Sequence, residues 1–207
     1  MKNITIALLI LLPILLFSQE ERPQSIKLKV GANVTKGKAK DVDIDYSSAF
    51  GFSLGAVKDF KLGKAIYLES GIVAEKYTTE YSALIGSGIA GPIFLKTNDK
   101  FIYVSVPVIF QFHTGKVNFN TGPQVGYLLS AITQVKNSPN KEDVKDFTKN
   151  TMVNWGFGFE VNTPANFDIG ARLLVGITDI NNAKHILDSS YRLNTLQIYA
   201  AFPIDNF

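Results

Sequence analysis

From Ile26 onward the chain alternates apolar and polar positions with a period of two. Ile26, Leu28, Val30, Ala32 and Val34 share one face, and Lys27, Lys29, Gly31 and Asn33 share the other. The same rhythm recurs over residues 50–58, 66–77, 101–112, 117–131, 153–161, 167–177 and 195–202. Eight segments of about 9–12 residues with this period read as eight strands, and the chain reads as all-β. Period 3.6 competes only in short connecting pieces such as residues 141–149. The expected outward faces are large and apolar. Ala131 falls with Phe119, Val125, Tyr127 and Leu129 on one of them, and Trp155, Phe157 and Phe159 fall on another.

The connections supply a second pattern. Residues 61–64, 113–116 and 162–166 are short and carry Gly, Pro, Asn and Thr, the composition of tight turns. Residues 35–49, 78–100, 132–151 and 178–194 are long and mostly polar. Short and long connections alternate strictly. That arrangement predicts an eight-stranded antiparallel up-and-down barrel with every tight turn at one rim. A transmembrane β-barrel and a soluble lipocalin-type barrel share it, with opposite faces turned to solvent. The face chemistry favours the transmembrane form. The polar faces hold Gly, Ser and Asn with a few charges of both signs, which suits a narrow lumen better than a watery exterior. In a carrier Trp155 and Phe157 would point inward; in a membrane barrel they point to lipid.

The N-terminus changes the compartment. Lys2 precedes a nearly unbroken apolar run from Ile4 to Phe17, followed by Ser18, Gln19 and the charged Glu20-Glu21-Arg22. This is the layout of a secretory signal peptide, and the run is too short for a spanning helix, which needs about 20 residues. The expected organisation is a signal peptide over 1–18 and an outer-membrane barrel over 19–207, with both barrel ends periplasmic and the long loops extracellular. The chain has 207 residues, no Cys, 46% hydrophobic residues and 19% charged. Without Cys its stability does not depend on disulfides. A net charge of +3 with scattered Lys and Arg disfavours a nucleic-acid partner.

One set of residues resembles a known family. Val104-Ser105-Val106-Pro107-Val108, Gly122-Pro123-Gln124-Val125-Gly126-Tyr127-Leu128-Leu129, Trp155-Gly156-Phe157-Gly158-Phe159-Glu160 and Asp168-Ile169-Gly170-Ala171-Arg172 are similar to the PorT-like outer-membrane barrels of the Bacteroidetes. So are Gly176 to Ile180 and the closing Leu196 to Phe202. The resemblance implies an eight-stranded barrel, and its founding member is associated with protein secretion. Such barrels close on an aromatic residue, which here is Phe202 or Phe207.

Candidate chemistry is sparse. Two His and no Cys argue against an ordinary zinc or iron site, and no cofactor is expected. His113 reads as a solvated turn residue. His185 with Asp188, Ser189 and Ser190 offers the residue types of a lipid-modifying hydrolase, but triads are defined by geometry, and a polar loop holds such residues by chance. A non-enzymatic barrel is expected. Lys27, Lys29, Glu69, Glu75, Glu160, Asp168 and Arg172 all fall on polar faces and are read as a structural charge network in the lumen. Residues 83–95 form an apolar patch in a long connection, either an interaction site, an extension of the adjoining strands or a cover over the lumen. The expected partners are outer-membrane lipid, the barrel-assembly machinery during biogenesis and other envelope proteins.

Overall fold

A computed structural model describes residues 25–39, 45–88, 91–136, 138–182 and 190–204, with the side chains of residue 45 and residues 83–94 outside that set. The proposed signal peptide and Phe207 lie outside the described residues. The strands are β1 (Ile26–Ala39), β2 (Asp45–Lys61), β3 (Ile66–Gly88), β4 (Gly91–His113), β5 (Val117–Val135), β6 (Lys141–Asp143), β7 (Thr151–Asn162), β8 (Asp168–Gly176) and β9 (Tyr191–Pro203). Eight of them close into one antiparallel barrel in sequence order. β4 pairs with β5, and β9 returns to β1 from Lys27↔Pro203 to Ala39↔Tyr191. β6 is a three-residue addition to the β5 edge, followed by a single 3-10 turn, Lys145–Phe147. Residues 141–149 are therefore not the helical piece that their spacing suggests.

The alternation places each side chain. Lys27, Lys29, Asn33 and Thr35 of β1 are buried, whereas Ile26, Leu28 and Val30 between them are exposed. Phe50 (78% exposed), Phe52, Ile72, Phe119, Phe157, Leu196 and Ile198 continue an apolar outer surface around the barrel. In water so much contiguous apolar surface would drive association. Facing hydrocarbon it is the surface a transmembrane barrel requires. Trp155 and Phe157 are on this outer face, 38% and 53% exposed, which removes the carrier reading. Of the tyrosines near strand ends, Tyr127 faces outward, while Tyr67, Tyr77, Tyr103 and Tyr199 are buried in the lumen.

Three sequence expectations are corrected. Strand length is the largest. β3 and β4 each have 23 residues and β5 has 19, against 9 in β8. A tilted strand crosses a bilayer in about 9–11 residues, so β3 and β4 run on well past one crossing. Most of residues 78–100 is thus paired strand, from Thr78↔Lys100 to Gly88↔Gly91, and the apolar stretch extends the hairpin rather than forming a loose loop. The alternation loses its apolar half at the first outward polar residues, where the strand leaves lipid but keeps its hydrogen-bonded partner.

The second correction concerns Ala131. Ile102 pairs with Ser130 and Tyr103 with Leu128, so Leu129 is an extra residue in β5. Such a bulge shifts the pleat by one position. Leu129 stays outside, and Ala131 turns inward and is fully buried. The third is His113, which ends β4 rather than floating in a turn. Its ring stacks on Tyr67 with centroids 4.2 Å apart, and its Nε2 lies 3.1 Å from Gln111 Oε1.

The Gly122-Pro123 pair also has a backbone reason. Gly122 adopts φ 155, and a Cβ there would meet the carbonyl oxygen of Val108 at 2.2 Å. Only Gly allows that approach. The following Pro123 has no N–H to donate at a point where the β4–β5 pairing has a gap, between Pro107↔Gln124 and Phe110↔Thr121, with the register kept on both sides.

Candidate functional site

The lumen gathers the chemistry of the chain. Near the short-turn end, Lys27 Nζ lies 2.6 Å from Asp59, 3.0 Å from Asp168 and 3.7 Å from Glu160. One layer further in, Lys29 Nζ donates to both oxygens of Glu69 at 2.9 Å. Arg172 Nη2 donates to the same carboxylate at 3.0 Å, and Gln111 Nε2 at 3.1 Å. Arg172 Nε reaches Asn120 Oδ1 at 3.1 Å. Lys29 also stands over the Tyr199 ring, 3.9 Å from its centroid. Gly170 makes room for that ring, because a Cβ there would lie 2.3 Å from it.

Glu75 belongs to a separate cluster. Its carboxylate accepts from Ser105 Oγ at 2.7 Å, Gln124 Nε2 at 2.6 Å and Gln197 Nε2 at 3.4 Å. Gln197 also donates to Ser53 and Asn33. The seven charged residues read from the sequence are thus all buried: Lys27, Glu160 and Asp168 in one layer, Lys29, Glu69 and Arg172 in the next, and Glu75 held by neutral donors. Asp59 is the member that sequence reasoning missed. Its signal is its parity: it sits two residues beyond Val57 on the inward face of β2, one residue past the alternating segment 50–58. Among the described residues these two layers hold four carboxylates, Asp59, Glu69, Glu160 and Asp168, and three cations, Lys27, Lys29 and Arg172. Glu160 accepts no hydrogen bond, and among the described residues its one ion pair is with Lys27 at 3.7 Å.

Above these layers the lumen turns apolar. Tyr77, Phe101, Tyr103, Leu128, Ala131, Met152, Ile180 and Leu193 pack into one buried cluster, with Val144 and Tyr191 against it. Ile180 and Val144 come from the β8–β9 and β5–β7 connections, so two loops fold over this end. They are tied together by Lys149 N to Ile180 O at 2.7 Å, Asn182 N to Phe147 O at 2.9 Å and the Thr148↔Asn181 bridge. Asp179 anchors the loop. Its carboxylate accepts the Tyr191 and Asn181 amides at 2.7 and 3.0 Å and pairs with Lys149 at 3.2 Å. Partial burial opposes its ionisation, but the two amides and the ammonium outweigh that and hold its pKa below the usual value.

A water-filled passage would leave its lining side chains accessible. Here Glu69, Gln111, Tyr77, Tyr103, Tyr199 and Leu128 have almost no accessible surface, so among the described residues the interior is a packed core. Of the hydrolase-type residues, His185, Asp188 and Ser189 lie outside the described residues. Among the described residues no cluster of His, Cys, Asp and Glu has the arrangement of a metal site.

The comparisons with known proteins agree with this architecture. Residues 17–182 match the family described as "Outer membrane protein beta-barrel domain". The chain belongs to that family. Among solved structures, Neisserial surface protein A shares 14% identity at a TM-score of 0.50, over 86% of this chain and 97% of that one. Ail, the attachment invasion locus protein of Yersinia pestis, shares 15% identity at a TM-score of 0.46, over 87% and 99%. These identities speak to fold alone. No curated protein matches the chain significantly. This family member is an outer-membrane β-barrel protein with eight antiparallel strands, its lumen filled and its lipid-facing surface apolar.

Proposed function

We propose that this protein is a non-conducting, non-enzymatic envelope barrel whose working surface is its long-connection rim, where it meets other envelope proteins. One observation carries the reading: among the described residues the lumen is filled, by ion pairs toward the short turns and by the apolar cluster above them. A barrel that cannot pass solute through its middle is left with its outer wall and its ends. At one end β3 and β4 project as a paired wall well beyond a single crossing, while β7, β8 and β9 stop short. A rigid two-stranded wall is a better docking element than a loose loop, because little order remains to be imposed on binding.

Within the family, the Gly122-Pro123 stretch and the sequences around Trp155 and Asp168 support a place among the PorT-like barrels of the Bacteroidetes, and with it an accessory role in protein secretion. In this reading residues 1–18 direct export, the short-turn end and both chain ends face the periplasm, the assembly machinery inserts the barrel, and the β3–β4 wall is extracellular.

The test has two arms. Purified protein in a planar bilayer is expected to give no stepwise conductance; regular steps would overturn the non-conducting reading. In cells, a chain shortened in the β3–β4 hairpin between Glu80 and Asn98 is expected to insert normally, shown by heat-modifiable gel mobility. It should still reproduce the phenotype of full deletion in secreted-protein export and envelope permeability. Full activity of the shortened chain would remove the wall as the working surface.

A further inference from the structure

The outer face of β1 and β9 changes character abruptly at one level. From the short-turn end upward, the paired positions Leu28↔Phe202, Val30↔Ala200, Ala32↔Ile198 and Val34↔Leu196 are apolar on both strands. The next outward pairs are Lys36↔Asn194 and Lys38↔Arg192. Lys36, Lys38 and Arg192 are exposed, while Thr35, Gly37 and Leu193 between them turn inward and are buried. Asn194 is committed to the wall, its Oδ1 accepting the Gly176 amide at 3.1 Å.

Three cations therefore cluster on the outer wall in the two rows above a continuous apolar stripe. Like charges directly opposite each other on neighbouring strands are destabilising. Among the described residues none of the three has a carboxylate partner, although other rim cations do: Lys136 pairs with Glu80 and Lys149 with Asp179. Among the described residues the cluster is thus a patch of positive charge without an ion pair, in the two rows directly above the apolar stripe.

We propose that this patch binds the phosphate of a membrane lipid, with the acyl chains lying along Leu196, Ile198 and Phe202. A phosphate between Lys38 and Arg192 receives charge-assisted hydrogen bonds from both and relieves their repulsion. Arg offers a planar fork to two phosphate oxygens, and Lys a movable point charge. The stripe below supplies what a free phosphate could not use, a dry surface for chains.

The experiment uses the full barrel in maltoside detergent micelles, which carry no phosphate, with a small fraction of diphosphoryl lipid A or of its dephosphorylated form. Lipid retained by the barrel is counted by native mass spectrometry, and affinity is read by titration. The phosphorylated lipid is expected to bind at least roughly tenfold tighter than the dephosphorylated one, a difference of about 1.4 kcal/mol. K38Q/R192Q should remove that preference while heat-modifiable mobility stays normal. The control K64Q/K116Q, at the opposite end, should keep it. Equal binding of the two lipids, or an unchanged preference in K38Q/R192Q, overturns the proposal. So does displacement of the lipid by inorganic phosphate at similar concentration, which would show a site for free phosphate. The test is independent of the secretion role, because it reads lipid binding in purified protein.

Discussion

The two halves of the lumen are filled by opposite means. Toward the short turns the interior is ionic, built from Lys27, Lys29, Asp59, Glu69, Glu160, Asp168 and Arg172. Toward the long connections it is an apolar and aromatic plug. The change can be followed along single strands: β7 presents Glu160, then Asn154, then Met152, and β8 presents Asp168, then Arg172, then Leu174. The ionic half is held by directional pairing, so each member has few acceptable replacements. The apolar half is held by shape, so its members can be exchanged for others of similar volume. Burial is equally complete in both, but the consequences of damage differ. Removing one partner from a buried ion pair leaves an uncompensated charge, whereas shaving an apolar side chain leaves a hole.

The strongest break should come from Glu69→Ala, which strands Lys29 and Arg172 in the core. We expect a loss of about 3–5 kcal/mol in urea unfolding in detergent, followed by the fluorescence of Trp155. A loss under about 1 kcal/mol would mean that water reaches the network and that this half is not dry. Leu128→Ala in the plug should cost about 3 kcal/mol by the same measurement, with no dependence on pH. If the two variants differed in pH response but not in size, the comparison would rest on charge alone.

The loops that roof the plug give a smaller effect. Asp179→Asn should cost about 1 kcal/mol, seen as faster amide exchange at Tyr191 and Asn181 before the barrel itself opens. Because the folded pKa of Asp179 is lowered, its contribution is complete above the ordinary carboxylate value near 4. It is lost as pH falls through the lowered folded value. Acid should therefore loosen this roof in the parent chain and leave the Asp179→Asn chain unchanged. The smallest effect is the sharpest test. Replacing Lys29, Glu69 and Arg172 together by Met, Leu and Met should change stability by less than about 1 kcal/mol, far less than Glu69→Ala alone. A triple variant as damaged as the single one would mean that the ionic half resists conversion to the logic of the plug.

Much of this protein was legible in its sequence because a strand exposes its two faces at alternate positions. Period two located eight strands, the rhythm of short and long connections gave an up-and-down barrel, and large apolar residues opposite small polar ones said which face meets lipid. The seven buried charges followed from the same rule. The strand ends were not legible, because a strand leaving the membrane keeps its hydrogen bonds but loses the apolar half of its signal. Residues 78–82 and 96–100 show this most clearly.

Other features belong to the tertiary structure alone. The β5 bulge at Leu129 moves Ala131 indoors, and no local pattern announces it, because the register depends on the facing β4 strand. Asp59, Glu160 and Asp168 meet around Lys27 only because β9 pairs back onto β1 and closes the ring. Leu128, Met152 and Leu193 look outward-facing by composition, yet they form the plug, because closure brings inward apolar residues from separate strands within contact. The sequence by itself determined which side of each strand faces lipid, a property of alternating neighbours. The closed sheet decided what the inward side chains touch, since those partners lie far apart along the chain.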